Sequence, residues 1–352
     1  QQCPIGFESF SSAWVKPVSV GRADDSDAGA RADDYPENIL SEDLVKHSSG
    51  EFSMAMVRGN RHVEDRCHAV VSPAGTFFGH GGSAASQFVF EHLYTNFTSC
   101  FIALIRKQFW RIPAIAAIGS CVLVGVLWGN DLYLANLGDC RAVIGGLMEG
   151  QLREHAMTVD HNARSSNIRK ELQEAHPDVP DVVLKRGVWR VKGKLQVGDE
   201  FTIGDAYLKF PEFSLNRYPR YKLNKPIVRP VVRADPEITR TVLHTDDKFI
   251  VFATDGLWDE LSNTAVVHIV SGEPRLGIAK TLIRRALEKA ATRNKMTYEQ
   301  LKRLNEDQRE RRTIHDDMTV IVVFFDQAAP RPSSWYIGNP KLGSEFSASN
   351  HP

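Results

Sequence analysis

The chain of 352 residues carries no net charge: 43 Lys and Arg offset 43 Asp and Glu. That balance removes the global basic excess on which a nucleic-acid partner would depend. Cysteine is scarce. Cys3, Cys67, Cys100, Cys121 and Cys140 are odd in number, scattered, and form no CxxC pair. They read as reduced thiols of an intracellular protein, with neither a disulfide framework nor a zinc site. Residues 1–12 lack the basic and apolar blocks of a signal peptide, and the chain starts without Met, so its start reads as incomplete or processed. Long apolar runs are missing too, apart from an uncharged stretch at 112–130. It contains Pro113, Gly119, Ser120, Gly125 and Gly129, and its second half is β-branched. Two adjoining buried strands fit it better than a transmembrane span, and no span is expected.

What is present is ordinary globular material, 42% apolar and 24% charged. Residues 1–49 read as a flexible polar leader, in which Arg22-Ala23-Asp24-Asp25 recurs as Arg31-Ala32-Asp33-Asp34. A folded domain is expected over 50–326 and a loose tail over 327–352. Strands are expected at 52–57, 76–78, 121–128, 131–137, 141–144, 248–253 and 318–325, the last two nearly all apolar and hence central. Gly129-Asn130 between apolar runs is a hairpin signal. Helical spacing marks 83–96, 163–175, 264–270, 276–293 and 298–311, the last opened by a capping pair, Thr297 and Gln300. Hairpins plus amphipathic helices indicate an α+β fold with helices covering an antiparallel sheet or sandwich.

Acidic clusters stand at the ends of the expected strands: Glu64-Asp65, Asp139, Asp255 with Asp259, and Asp316-Asp317. Strand ends on one rim gather carboxylates that are distant in sequence, and hard cations such as Mg²⁺ and Mn²⁺ take carboxylate oxygens. A lone aspartate at a strand end is otherwise a turn former or helix cap. Asp255 stands out because an apolar run precedes it and Gly256 follows, leaving a carboxylate at a sheet edge with room for a ligand. Gly79-His80-Gly81-Gly82-Ser83 matches no phosphate loop, yet a glycine-rich segment entering a helix can present backbone groups, and His80 is a candidate general acid. Basic runs at Arg284-Arg285 and 309–312 lie beside acids and read as solvated helix faces.

Taken together, Glu64-Asp65, Gly79-His80-Gly81-Gly82, Leu137-Gly138-Asp139-Cys140-Arg141, Thr158-Val159-Asp160-His161-Asn162, Asp255-Gly256-Leu257-Trp258-Asp259 and His315-Asp316-Asp317-Met318-Thr319 resemble, in order and spacing, the metal-dependent protein phosphatases of the 2C type. The likeness runs from about Gly50 to Asp326 and is closest to the plant branch that includes proton-pump phosphatases. It implies an α-β-β-α sandwich of two antiparallel sheets flanked by helices, and two Mg²⁺ or Mn²⁺ ions. The implied reaction is hydrolysis of phosphoserine and phosphothreonine in a phosphorylated protein substrate by metal-activated water, without a covalent intermediate. By the same resemblance Glu64, Asp255 and Asp316 are metal ligands, Gly79 contributes its carbonyl or an adjacent water, and His80 is the general acid. Asp139 and Asp259, with Asp255, match a weaker third metal position. An intracellular monomer is expected.

The match breaks where chemistry is at stake. Family members carry, just before Gly-His-Gly-Gly, an Asp that bridges both metals; here that residue is Phe78. Two cations about 4 Å apart repel strongly, and phenylalanine offers no oxygen to share between them. The arginine-bearing segment before Ile203-Gly204-Asp205 is replaced by Gly198-Asp199-Glu200. About a helix and a half is missing between Cys100 and Phe101. The arginine some relatives place four residues before Glu64 is Asn60. Two readings therefore stand together: a working phosphatase, and a catalytically impaired pseudophosphatase that binds or sequesters phosphoproteins.

Overall fold

The computed structural model describes residues 39–47, 49–60, 65–72, 75–81, 119–163, 165–179, 181–186, 188–192, 202–210, 223, 227–304 and 309–326. Its strands are β1 (Ile39–His47), β2 (Gly50–Val57), β3 (Arg66–Ser72), β4 (Gly75–Gly81), β5 (Gly119–Ser120), β6 (Val122–Trp128), β7 (Asp131–Leu137), β8 (Arg141–Met148), β9 (Gln151–Ala156), β10 (Val183–Arg186), β11 (Val188–Val191), β12 (Ile203–Gly204), β13 (Glu237–Val242), β14 (Asp247–Ala253) and β15 (Met318–Phe325). The described helices are α1 (Ser166–Ala175), α2 (Asp255–Trp258), α3 (Asn263–Gly272), α4 (Ile278–Arg293), α5 (Tyr298–Lys302) and α6 (Arg309–Ile314).

Two antiparallel sheets carry the architecture. One has six strands in the order β1-β2-β15-β14-β8-β9, the other five in the order β13-β7-β6-β4-β3. Strand alternation gives each sheet two faces. Phe52, Met54, Ile250, Phe252, Ile321 and Val323 of the first meet Cys67, Ala69, Leu123, Leu132 and Leu134 of the second in one buried cluster. The sheets therefore pack face to face. On β6 a Cβ at Gly125 would stand 2.6 Å from the Phe252 ring. The opposite face of the six-stranded sheet (Ala55, Val57, Val251, Ala253, Val320, Val322) is covered by α3 and α4. Helix α4 offers Ile278, Ala279, Leu282, Ile283, Ala286, Leu287, Ala290 and Ala291, an i, i+3, i+4 stripe. Each fully buried Leu or Ile there contributes about 1.5–3 kcal/mol. A smaller unit built on α1 and the β10–β11 hairpin has its own cluster around Leu172, Val182, Tyr207 and Val232.

The α+β class holds, with the hairpin over Gly129-Asn130 joining β6 to β7 and the capping box at Thr297 and Gln300 opening α5. Runs 248–253 and 318–325 are indeed interior strands. Three details differ from the sequence reading. Strand β1, from Ile39 to His47, forms within the stretch read as leader. As an edge strand it buries only Ile39 and carries a bulge between Glu42 and Val45, so it shows no apolar alternation. Gly79 and His80, read as part of a glycine-rich segment entering a helix, lie inside β4, between β3 and β6. The single helix expected over 298–311 is α5 and α6, with 305–308 outside the described residues. The helix expected at 83–96, the shortened segment after Cys100, Gly198-Asp199-Glu200, the early leader and the tail also lie outside them.

Candidate metal and phosphoryl-transfer site

Sheet order alone places the acids together. β14 runs antiparallel to both β15 and β8, so the end of β14 and the starts of β15 and β8 share one rim. Asp255 follows β14 and opens α2, Asp259 caps the end of α2, Asp316 and Asp317 precede β15, and Asp139 sits in the turn before β8. β2 ends on that rim with Gly59 and Asn60, next to the start of β15. In the five-stranded sheet, β3 begins where β4 ends, bringing Asp65 and the backbone of Gly79 to the corresponding rim.

Asp139, Asp255 and Asp259 line a cavity of about 340 Å³, together with Asp160, Arg141 and Trp258. Burial pushes Asp255 well above the usual carboxylate range, and the charges of Asp139, Asp316, Asp65 and Asp259 push it further. Asp139 is raised to about 6, first by burial and then by Asp160 and Asp259, against a hydrogen bond from the Cys121 thiol at 3.4 Å. Asp316 is raised by burial although Arg312 forms an ion pair with it. Its Oδ1 also accepts from Asn60 Nδ2 at 3.2 Å and from the Asp317 N–H at 2.8 Å. Buried carboxylates that repel one another are the donor chemistry a hard divalent cation neutralises. In number the set is partial: among the described residues no three His, Cys, Asp or Glu side chains close on one point as a metal cage.

Of the residues singled out in the sequence, Asp139, Asp255 and Asp259 share the cavity wall, and Asp316 lies within their electrostatic reach. Gly79 and His80 are on the same rim by their backbone. The side chains of Phe78 and His80, and the whole of Glu64, lie outside the described part. Asn60 is committed to Asp316 and Asp317 through its side-chain and backbone N–H groups. Arg141 and Asp160 were read only as motif letters. The guanidinium grips Asp160 at 3.0 and 2.6 Å, donates to Asn263 Oδ1 at 2.6 Å, and lies 5.2 Å over the Trp258 ring. The signal was available: Arg141 and Asp160 fall in the two motifs that bracket the β8–β9 hairpin. Cys140 is buried, and burial pushes its thiol well above the ordinary value, so it stays protonated. Arg284 and Arg285 pair with Glu288, and Arg285 also with Glu273, as a solvated helix face would.

The family model for protein phosphatase 2C matches residues 74–295. "Probable protein phosphatase 2C 43" of Oryza sativa subsp. japonica is 41% identical over 348 residues, covering 90% of this chain and 89% of the relative. "Probable protein phosphatase 2C 68" of Arabidopsis thaliana is 41% identical over 321 residues, covering 82% and 81%. Among solved structures, a serine-threonine phosphatase 2C from Toxoplasma gondii superposes with a TM-score of 0.52 at 15% identity, over 82% of this chain and 99% of that one, a likeness of fold.

Proposed function

Because the chain belongs to the protein phosphatase 2C family, we propose that it hydrolyses phosphoserine and phosphothreonine in proteins with Mg²⁺ or Mn²⁺, at a rate held down by Phe78. The observation that carries this reading is the cavity walled by Asp139, Asp255 and Asp259, where the charges of Asp139 and Asp259 add to burial in raising the proton affinity of Asp255. Asp255 and Asp316 would hold the cations, with Glu64 and the Gly79 carbonyl, while Asp139 and Asp259 serve a weaker site. A bound divalent pair neutralises phosphoryl charge and activates water.

The chain's own residues set the remaining conditions. A phosphate approaching bare carboxylates is repelled, so the cavity favours substrate only once its charge is cancelled. Arg141 pairs with Asp160 and offsets part of its charge, so the wall keeps a net negative field. His80 is positioned in β4 near the rim, where it would protonate the leaving alkoxide. The second reading, a pseudophosphatase that captures phosphoproteins without turning them over, is favoured by Phe78, which supplies no oxygen between two cations. The scattered thiols support an intracellular setting, and a monomer is the simplest working unit. No helix among the described residues is long and apolar enough to cross a membrane.

The test is hydrolysis of a phosphothreonine peptide against Mn²⁺ concentration, with Asp255→Asn as the blank. Slow turnover that saturates with metal and vanishes in the blank is expected. Inserting four residues ending in Asp before Gly79 should raise it at least a hundredfold. A rate equal to the blank at every metal level, from folded protein, would leave the pseudophosphatase reading in its place.

A further inference from the structure

Asp65 takes no direct part in the proposed reaction, yet it is firmly built into the rim. It is buried just ahead of β3, and its Oδ2 accepts from Thr254 Oγ1 at 2.8 Å and from Thr319 Oγ1 at 2.9 Å. The two threonines also hold each other. The Thr319 N–H donates to Thr254 Oγ1 at 3.0 Å, and the Thr254 N–H donates to the Thr319 carbonyl at 3.1 Å. The result is a closed ring of hydrogen bonds linking the five-stranded sheet's side of the rim to two strands of the other sheet.

The chain positions of the ring's members give it meaning. Thr254 immediately precedes Asp255, and Thr319 follows Asp316-Asp317-Met318. The same junction is fixed from its other side. Asp317 Oδ1 accepts from the N–H groups of Gly59 and Asn60 at 2.7 and 2.8 Å. A Cβ at Gly256 would stand 2.1 Å from the Asp317 carbonyl, so the α2 start lies directly against the backbone leading into β15. A hydroxyl has one hydrogen, and each threonine directs it to Asp65; the carboxylate therefore decides where both hydroxyls, and the backbone that bears them, come to rest.

From this ring we infer that Asp65 is a positioning residue. Through Thr254 and Thr319 it fixes the separation of the β14 end from the β15 start, and thereby the cation affinity of Asp255 and Asp316. The inference rests on the cation site proposed above. Valine matches threonine in shape but removes the hydroxyl donor, leaving the buried carboxylate short of a partner; serine keeps it. Partners that orient a metal ligand typically govern affinity by tenfold or more.

The experiment is calorimetric titration of the full chain with Mg²⁺ alone, for wild type, Thr254→Val, Thr319→Val, Thr254→Ser and Thr319→Ser, together with amide exchange in EDTA. Each valine variant should bind Mg²⁺ about tenfold more weakly and exchange faster at residues 255–259 and 316–319, while each serine variant stays within about twofold of wild type. A folded valine variant with unchanged affinity and exchange would overturn the inference, as would serine variants that lose as much as valine. Should a valine variant fail to fold, the serine pair decides, a tenfold loss in either one overturning it. Wild type that releases no heat with Mg²⁺ would instead sink the cation reading. The exchange comparison would then judge the ring alone, equal rates overturning it.

Discussion

Arg141 shows how much a single side chain on this rim can hold. It neutralises Asp160 through two hydrogen bonds, reaches Asn263 at the start of α3, and covers Trp258. Three elements meet on it, so its loss leaves Asp160 without a counter-ion beside Asp139. Both partners are about a quarter exposed, 22% and 28% by side chain, so water recovers part of that loss. Arg141→Met is expected to lower stability by about 1–3 kcal/mol in urea unfolding. Arg141→Lys should fall between, since an ammonium keeps the charge but cannot grip both carboxylate oxygens. The Arg-Asp pair was present in the sequence as letters of two motifs. Nineteen residues and a hairpin separate them, so only the pairing of β8 with β9 shows that they meet.

At the scale of elements, the sandwich depends on close approach of its two sheets. Gly125 on β6 faces Phe252 on β14 with no space for a Cβ. Gly125→Ala should therefore destabilise by about 1–3 kcal/mol through overpacking, and Phe252→Leu, which shortens the ring's reach, should recover part of it in a thermal-unfolding cycle. Interior strands and long helices were legible because their periodicity is forced by burial on one or both faces. β14, β15 and α4 stand within two residues of where the pattern put them. Edge elements were not. β1 satisfies its backbone against β2 while only Ile39 is fully buried, so no alternation is demanded of it. The glycine-histidine segment differs for the opposite reason: its composition suggests an irregular entry to a helix, but pairing on both sides makes Gly79-His80-Gly81 a strand.

For the whole molecule, zero net charge conceals a concentrated acidic rim. Burial raises Asp65 to about 8, and Asp255 is raised as well. An unfolded aspartate titrates near 3.8, so the folded chain keeps protons that the unfolded chain releases. Their stabilisation is complete below that value and is lost as pH rises through the folded one. His315, lowered to about 4 by burial, and His47, also lowered, act in the opposite sense, but both are neutral in either state well above 6.5. Between pH 7 and 8 in EDTA the stability should therefore fall, by up to about 1.4 kcal/mol per pH unit for each retained proton, with Lys209, lowered to about 8 by burial, offsetting part of that loss. Saturating Mg²⁺ should flatten that slope, because a cation replaces the protons. Thermal unfolding at pH 7 and 8, with and without Mg²⁺, measures both effects.

Legible from the residues alone were the α+β class, the interior strands, the main helices, the family motifs and Phe78 directly before Gly79. Each follows from residue type and local spacing, which burial and backbone geometry constrain directly. Tertiary structure alone decided that Asp139, Asp255 and Asp259 share one cavity, that Arg141 answers Asp160, and that Asp65 ties Thr254 to Thr319. Those contacts join positions up to 254 residues apart. No local pattern encodes such distances; they arise because antiparallel neighbours in two packed sheets bring their ends to a common rim.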